Sequence, residues 1–286
     1  MNSPVIIIGA PRSGTNILRD VLTTVPGYTT WPCDEINLMW RHGHRAYGSD
    51  EFPADFASPA ATTFVGKYFG RIAKKGNGAT VVEKTCANSL RVGYVDRVVP
   101  NARYLFITRD GMDVTASAMQ RWHAPFDWEY TKAKLPYVPV SDLGYYGTRF
   151  IANRLKARGH DASGDKLVDS WWGPKLDGQA DLQRTHPLDE LCALQWQRCV
   201  DNSERDFATI DPSRVHRISY EEFVKTPAAH MEAVLEFLGT PQTVDPAWVS
   251  SVSPRSVGKG RESLGAEATE RLTALVRPSL ERYGYA

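Results

Sequence analysis

The chain has 286 residues, of which 42% are hydrophobic and 23% charged, and its formal net charge is +1. This length is ample for a buried core. The near-neutral charge argues against a nucleic-acid binder, which usually carries a clear basic excess, so any anion site has to be local. No apolar run approaches the ~20 residues that span a bilayer, so no transmembrane segment is expected.

The amino-terminal residues and the cysteines indicate a compartment. The residues before the first apolar run lack the charged region and the long apolar region of a signal peptide. The four cysteines form no C-x-x-C pair and show no metal-ligand spacing. We therefore expect a cytoplasmic protein with reduced thiols and no bound metal.

The first 121 residues alternate between strand and helix patterns. The β-branched run at 5–8 predicts a strand that is buried on both faces. The apolar stripe that follows, from Ile17 to Val25, predicts a helix that Pro26-Gly27 terminates. The same alternation predicts a strand at 80–83, a helix at 89–99, a strand at 102–109 and a helix at 113–121.

Residues 122–187 interrupt this rhythm, because they combine five prolines with many aromatic residues and show no sustained period. Order returns with a predicted helix at 188–207, a strand at 214–220, a helix between Pro227 and Gly239 that Thr226 caps, and a last helix at 266–282. The pattern predicts an α/β fold with a central parallel sheet flanked by helices. Since nothing resembles a linker, we predict one domain over 1–286, with 122–187 as an irregular, aromatic-rich insertion.

The turn after the first strand has the shape of a phosphate-binding loop. Its sequence, GAPRSGTN at 9–16, places glycines at both ends of a strand-to-helix turn, where backbone N–H groups meet the positive end of a helix. A nucleoside-triphosphate loop has Lys and then Ser or Thr after its second glycine. Here those positions are Thr15 and Asn16, and the cation is Arg12 instead. This departure favours a protein that binds its anion without magnesium, and it disfavours a nucleotide kinase. The other alternative is a non-catalytic nucleotide-binding module.

The loop resembles the 5′-phosphosulfate loop of the sulfotransferases that use 3′-phosphoadenosine-5′-phosphosulfate (PAPS). A second part of that family's signature is similar to YLFITRDGMDVTASAMQR at 104–121, where a strand ends in arginine and a serine follows eight residues later. Weaker similarity covers 218–239 and 257–261. The resemblance thus spans the chain apart from 122–187, and it implies a P-loop-like sulfotransferase with PAPS as donor and PAP as product.

The resemblance also implies which residues bind the donor. Arg109 and Ser117 correspond to the 3′-phosphate site, and Arg121 matches a cofactor arginine of the tyrosylprotein sulfotransferases. Ser117 and Arg121 are four residues apart and therefore share one helix face. Arg109 could instead only form a salt bridge to Asp110 or a neighbour. The complete predicted donor set is Arg12, Ser13, Gly14, Thr15, Asn16, Arg109, Ser117, Arg121, Tyr220 (beside the adenine, or a core tyrosine), and Lys259, Gly260 and Arg261 on a flexible loop.

The predicted catalytic residues are Glu35, Arg12 and Lys84. The two cations follow the first and second predicted strands, where they can stabilise charge on the oxygen that leaves sulfur. In sulfotransferases for small phenols and steroids, a KTH segment supplies a histidine base, but the segment here is KTC. Cys86 is a poor base at neutral pH. Residues 31–43 resemble the tyrosylprotein sulfotransferase segment that contains a glutamate base, and Glu35 takes that place.

The prediction that Glu35 is the base depends on its pKa and on which residue it pairs with. A carboxylate is an effective base at neutral pH if burial raises its pKa. Glu35 could alternatively pair only with Arg12 or Arg41, and the adjacent Asp34 is expected to point elsewhere. His42, His44 and His123 remain alternative or assisting bases.

The acceptor is expected to be a hydroxyl group delivered by the insertion. Its aromatic side chains, with Trp122 and Trp128 nearest to the donor site, suit stacking on a sugar ring or lining an apolar slot; the alternative is that they are core residues. A glycan or glycolipid hydroxyl is the leading prediction by analogy with bacterial family members. A small-molecule alcohol is second, and a protein tyrosine is third.

Overall fold

The computed structural model describes residues 3–122, 135–137, 144, 148 and 171–286. Their strands form one five-stranded sheet in the order β2-β3-β1-β4-β5, and every pairing is parallel. The α/β class with a central parallel sheet is therefore confirmed. The strands are β1 (Val5–Ile8), β2 (Tyr28–Thr30), β3 (Thr80–Lys84), β4 (Arg103–Thr108) and β5 (Val215–Ser219).

The strand order creates a switch point at the central strand β1. From β1 the chain first builds β2 and β3 on one side, and it then crosses to β4 and β5 on the other. In open α/β sheets, ligands bind where the strand order reverses, beyond the carboxyl ends of the strands. The register aligns those ends here, since Ile7 pairs with Lys84 in β3 and Ile8 pairs with Phe106 in β4.

Helices cover both faces of the sheet. Along β1, Ile6 and Ile8 belong to the buried cluster on one face, and Val5 and Ile7 belong to the cluster on the other. Such two-sided burial explains why β1 is a continuous apolar run. The helices are α1 (Thr15–Thr24), α2 (Asn37–Trp40), α3 (Pro59–Lys75), α4 (Val92–Val98), α5 (Gly111–Trp122), α6 (Gln179–Thr185), α7 (Leu188–Phe207), α8 (Tyr220–Lys225), α9 (Pro227–Phe237), α10 (Lys259–Leu264), α11 (Ala266–Leu275) and α12 (Arg277–Arg282).

Several element boundaries differ from the sequence prediction. Strand β2 was not predicted, because Tyr28–Thr30 is only three residues long and lies at the sheet edge. The predicted helix at 89–99 begins as a 3-10 turn, Cys86–Leu90, before α4. The predicted last helix is interrupted at Val276, with Pro278 in the first turn of α12, where its missing N–H is tolerated. Thr226 precedes α9 as predicted, but its side chain does not cap the helix.

A buried ion cluster fixes the segment between α2 and α3. The Asp50 carboxylate pairs with Arg41 at 2.5 Å and with Arg91 at 3.3 Å, and all three side chains are at most 8% exposed. Asp50 also bonds with Lys175 through both the backbone and the carboxylate, at 2.7 and 2.9 Å. The cluster therefore fastens the segment around Lys175 to the rest of the protein.

The ends of the predicted insertion are packed into the protein. Trp122 is 6% exposed and lies in a cluster with Ala118 and Cys192. Its ring centroid is 5.6 Å from that of Trp171 in an edge-to-face arrangement. Trp122 is thus a core residue and not an exposed acceptor contact. Trp128 and His123 lie outside the described residues. Within the described ranges, no helix is long and apolar enough to cross a membrane.

Candidate active site

A cleft of about 1040 Å³ opens at the carboxyl ends of β1, β3 and β4. It is the place that the strand order predicts for a ligand. Of the predicted site residues, those lining this cleft are Arg12, Gly14, Thr15, Asn16, Glu35, Lys84, Arg109, Ser117, Arg121, Tyr220, Lys259 and Gly260. Ser13 belongs to the same loop but is fully buried, and the Arg261 guanidinium bonds with the Tyr285 carbonyl.

The loop between β1 and α1 is tightly enclosed. A side chain at Gly9 would come within 2.7 Å of the Ile107 carbonyl, and one at Gly14 within 2.4 Å of the Tyr220 ring. Gly14 also has φ +88°, which other residues adopt at a cost. Arg12 has φ +69°, a backbone conformation that is uncommon outside glycine and that concentrates at functional sites. The loop geometry therefore requires both glycines and turns Arg12 toward the cleft.

This loop has donors that suit an anion. No side chain caps the start of α1, and its first turn contains no acidic residue, so its free N–H groups and the helix dipole favour negative charge. Ser13 is fully buried, and its Oγ has no hydrogen-bond partner among the described residues. A buried hydroxyl without a partner is costly unless a ligand satisfies it. These donors fit a phosphate or sulfate group.

Three guanidinium groups converge at the cleft. Burial, followed by repulsion from Arg121 and Arg109, lowers the pKa of Arg12. Arg12 Nε donates to Ser117 Oγ at 2.9 Å, which links the loop to α5. Concentrated positive charge of this kind is relieved by an anion, because like charges repel more strongly at low dielectric. The loop, Arg109, Ser117 and Arg121 line the same cleft, as expected for residues that the sequence assigned to one donor site.

The Arg109 side chain is almost fully buried and bonds mainly with other groups of the protein. Its side chain is 8% exposed, and it pairs with Asp113 at 3.4 Å, not with Asp110. Its Nη1 donates to the Arg12 carbonyl at 3.0 Å and its Nη2 to the Ser256 carbonyl at 2.8 Å. The Nε atom is buried and has no partner in the described part of the chain. Arg109 therefore supports the loop and retains one donor for a ligand.

The sequence predicted Tyr220 at the end of a strand, but the residue lies at the start of α8. The Arg109 guanidinium is 4.4 Å from the centre of its ring, and its hydroxyl bonds with Ser256 at 2.8 Å. The residue is 6% exposed but contributes to the cleft wall. Tyr220 thus packs the loop and Arg109 together, and both sequence interpretations, a core residue and a site residue, keep support.

The segment at 258–261 is a helical turn and not the predicted flexible loop. Gly258, at φ +78°, precedes α10, and Lys259 and Gly260 open that helix beside the cleft. Arg261 turns away from the cleft, since its Nη2 donates to the Tyr285 carbonyl at 2.6 Å and its Nε is 3.5 Å from Asp110. The structure thus separates Arg261 from the other predicted donor residues.

Lys84 joins two carboxylates at the end of β3. Its ammonium group is 2.8 Å from Asp34 Oδ1 and 2.9 Å from Glu35 Oε1, and its side chain is 1% exposed. Burial opposes the charge, but Glu35, Cys86 and Asp34 outweigh it and raise the pKa of Lys84. Lys84 is therefore held as a cation. Sequence reasoning missed Asp34, which was expected to point elsewhere; no spacing signal reveals that two adjacent carboxylates share one lysine.

The pKa of Glu35 is lowered, whereas the sequence prediction required burial to raise it. Burial alone would raise the pKa of Glu35, but the charge of Lys84 and hydrogen bonds from the Cys86 side chain and Lys84 outweigh it and lower that pKa. Lys84 is its partner, and not Arg12 or Arg41. The side chain of Glu35 is 24% exposed and lines the cleft. Glu35 is thus held as a carboxylate at the cleft surface.

The alternative bases occupy other surroundings. Burial raises the pKa of Cys86 well above its ordinary value, and its Sγ lies 3.6 Å from Thr15 Oγ1. His42 stacks on Phe64 at 3.8 Å, and His44 stacks on Phe56 at 4.4 Å. Neither histidine lines the cleft. Within the described ranges, no group of three or more His, Cys, Asp or Glu side chains is arranged to hold a metal ion.

Comparison with known proteins identifies the family. A protein-family model with the description "Sulfotransferase family" matches residues 4–138 and 175–245 of the chain. The chain belongs to the sulfotransferase family. The expectation of a PAPS-dependent sulfotransferase is thereby confirmed, and an acceptor that carries a hydroxyl group follows from the class of reaction. No curated protein sequence matches the chain.

Solved structures of sulfotransferases are similar to this chain in fold. A sulfotransferase domain from the Synechococcus PCC 7002 olefin synthase is 14% identical, with 96% of this chain and 95% of that chain covered and a TM-score of 0.52. A sulfotransferase domain from the curacin biosynthetic pathway is also 14% identical, with 97% and 98% covered and a TM-score of 0.50. A mouse sulfotransferase, SULT7A1, solved in complex with PAP, is 14% identical over 98% and 82%, with a TM-score of 0.44.

Proposed function

We propose that this sulfotransferase transfers the sulfuryl group of PAPS to a hydroxyl of a glycan or glycolipid, with Glu35 as the base. The observation that carries the proposal is the meeting of the anion loop and the Lys84–Glu35 pair in one cleft. The loop supplies a site for the phosphosulfate, and Glu35 supplies a proton acceptor beside it. Neither part alone would perform the transfer.

The donor contacts follow from the positions of the side chains. The loop from Arg12 to Asn16 would hold the 5′-phosphosulfate through backbone N–H groups and the buried Ser13 hydroxyl. Arg109, Ser117 and Arg121 would hold the 3′-phosphate, for which arginine provides fork-shaped donor geometry. Lys259 and Gly260 lie at the rim, where they would border the bound nucleotide. Arg261 is left out of this assignment, because its guanidinium bonds elsewhere.

The reaction is an in-line displacement at sulfur. The acceptor oxygen forms a new bond to sulfur while its proton passes to Glu35, and the bond from sulfur to the bridging oxygen breaks to release PAP. Negative charge builds on that bridging oxygen. Arg12 and Lys84 are the cations that would stabilise it, and preorganised charges of this kind contribute the largest part of many rate enhancements.

Lys84 links donor binding to the strength of the base. In the structure its ammonium is shared between Asp34 and Glu35, which lowers the pKa of Glu35. When Lys84 turns toward the negative bridging oxygen, Glu35 loses its strongest stabilising partner while burial remains. The pKa of Glu35 then rises, so its basicity increases when the donor is present.

The acceptor side of the cleft is bordered by Trp172, Gly173 and Pro174. Gln195 Nε2 donates to the Trp172 and Pro174 carbonyls, at 3.0 Å each, and this fixes the turn. Trp172 is half-buried, packs in part against the cluster that contains Trp122, and also lines the cleft, where it would stack on a sugar ring. The same apolar wall would also accept a small-molecule alcohol, which is the second candidate acceptor; a protein tyrosine is the third.

The first prediction concerns the donor. PAP and PAPS are expected to bind without Mg²⁺, and ATP much more weakly, because the loop lacks the lysine and the hydroxyl that hold a triphosphate and its metal. Calorimetry with EDTA, repeated with added Mg²⁺, measures this. Tight ATP binding that depends on Mg²⁺ would instead support a nucleotide kinase, and PAP binding without turnover of any acceptor would support a binding module.

The second prediction concerns Trp172. Trp172→Ala is expected to raise the acceptor KM, by about fivefold for the loss of one stacking contact of ~1 kcal/mol, with little change in PAP affinity. Trp122→Ala is the comparison for packing, since Trp122 is core and its loss is expected to cost ~3–5 kcal/mol of stability, with any effect on the acceptor accompanied by that destabilisation. Acceptor kinetics and melting temperatures distinguish the two. A Trp172→Ala protein that is destabilised but keeps its KM would assign Trp172 to packing.

A further inference from the structure

We infer that Asp113 is a positioning residue that fastens residues 256–260 along one wall of the donor cleft. The inference rests on the proposed donor site, and it adds a residue that the sequence did not single out. Asp113 lies in the first turn of α5 and is 3% exposed. It lines a cleft that is proposed to bind anions, where a carboxylate would ordinarily be unfavourable.

The Asp113 carboxylate is saturated by donors from two elements. Its Oδ1 accepts the Gly260 N–H at 2.6 Å, and its Oδ2 accepts the Gly258 N–H at 2.8 Å. The same Oδ2 is 3.4 Å from Arg109 Nη2. Because both oxygens point at these donors, the negative charge is compensated within the protein and repels a bound phosphate less. One carboxylate thereby joins the arginine of the proposed 3′-phosphate site to the wall beside it.

The close approach depends on a glycine. A Cβ at Gly260 would lie 2.4 Å from the Asp113 Cα and 2.4 Å from the Met112 carbonyl oxygen. These are backbone atoms of α5, so no side-chain movement could make room. Gly260 is therefore required by the contact between α10 and α5, which provides a physical reason for glycine at this position.

The remaining contacts of the segment converge on the same place. The Ser256 carbonyl accepts from Arg109 at 2.8 Å, and the Ser256 hydroxyl bonds with Tyr220 at 2.8 Å. Asp113 holds the two glycines that follow, and Lys259 lies between them at the rim of the cleft. The segment is thus ordered before the donor binds. Preorganisation removes part of the entropy cost of ordering a wall on binding, and so increases affinity.

Two variants test this inference by different chemistry. Asp113→Asn preserves the shape but leaves only one oxygen to accept, and Gly260→Ala keeps the carboxylate but forces α10 away from α5. Both are expected to weaken PAP binding by about 10- to 100-fold, which corresponds to ~1.4–2.7 kcal/mol. Glu262→Gln is the charge control, since it removes a carboxylate from the same cleft without touching these contacts, and it is expected to change affinity less than threefold.

Hydrogen exchange of the unliganded protein supplies a readout that does not depend on the donor. Amide protection over 256–264 is expected to fall in both variants, while α7 and the sheet keep theirs. Unchanged protection in Asp113→Asn would overturn the inference. So would a Gly260→Ala protein that binds PAP like wild type, because Asp113 would then act only through Arg109. Failure of the wild-type protein to bind PAP would refute the proposed function instead, and hydrogen exchange would still decide the role of Asp113.

Discussion

Arg109→Ala is expected to weaken PAP binding by about 2–5 kcal/mol, as for truncating one partner of a buried charge pair. The same substitution is expected to change the binding of adenosine-5′-phosphosulfate very little, because that ligand lacks the 3′-phosphate. The reason is the Arg109 Nε, which is buried and has no partner among the described residues, so a phosphate oxygen would satisfy it. Calorimetry with both ligands gives the two free energies directly.

The structure makes the second ligand necessary. Arg109 also supports the Arg12 carbonyl and the Ser256 carbonyl, so its removal can disturb the loop as well as the phosphate contact. A disturbed loop would weaken both ligands equally, and that result would refute the 3′-phosphate assignment. Ser117→Ala serves as the milder variant, since it removes a neutral hydroxyl near the same phosphate and leaves the Arg109 contacts in place.

The sequence was sufficient to predict the parts of the site that depend on local pattern. A β-branched run followed by a glycine-bounded turn and an amphipathic stripe describes β1, the loop and α1 completely, because each signal is local. The same holds for β4 and α5, which bring Arg109, Ser117 and Arg121 to one edge of the sheet. Parallel strands align their carboxyl ends, so the meeting of these residues followed from the fold class.

The features that were missed depend on long-range contacts. Asp34 and Asp113 bond with groups that are 50 and up to 147 residues away in the chain, and no sequence period encodes such a pairing. Strand β2 exists because it pairs with β3, not because three residues have a strong strand preference. Arg261 lies in a segment that resembles the family, yet the fold places its guanidinium against the carboxyl-terminal residues.

The effect of burial was also misjudged where a neighbouring charge opposes it. The prediction for Glu35 considered burial, which raises the pKa of a carboxylate, but the position of Lys84 decides the sign. Trp122 shows the same problem in another form, because an aromatic residue near a site can pack inward as easily as outward. Both outcomes depend on which side chains the fold brings within about 4 Å, and this is geometric information.

Glu35→Gln is expected to lower turnover by roughly 10²–10⁴-fold, the usual contribution of a general base. The amide keeps the size of the side chain and removes the proton acceptor, so PAPS affinity is expected to stay nearly constant. Single-turnover rates with saturating PAPS measure the chemical step, and PAP calorimetry measures the affinity. In wild type, kcat/KM for the acceptor at saturating PAPS reports the donor-bound enzyme, so it is expected to fall with decreasing pH at a higher pH than the lowered pKa of Glu35 in the ligand-free protein would give.

Asp34→Asn is the matched control for this experiment. Asp34 bonds with the same Lys84 ammonium at 2.8 Å, and Lys84 and Arg19 overcome the effect of burial to lower the pKa of Asp34 to about 2. If Glu35 acts as a base, Asp34→Asn should reduce turnover far less than Glu35→Gln. Equal losses would show that both carboxylates act only by holding Lys84. Retained activity in Glu35→Gln would transfer the role to another group, and since His42 and His44 stack on phenylalanines away from the cleft, His123 would be the next residue to substitute.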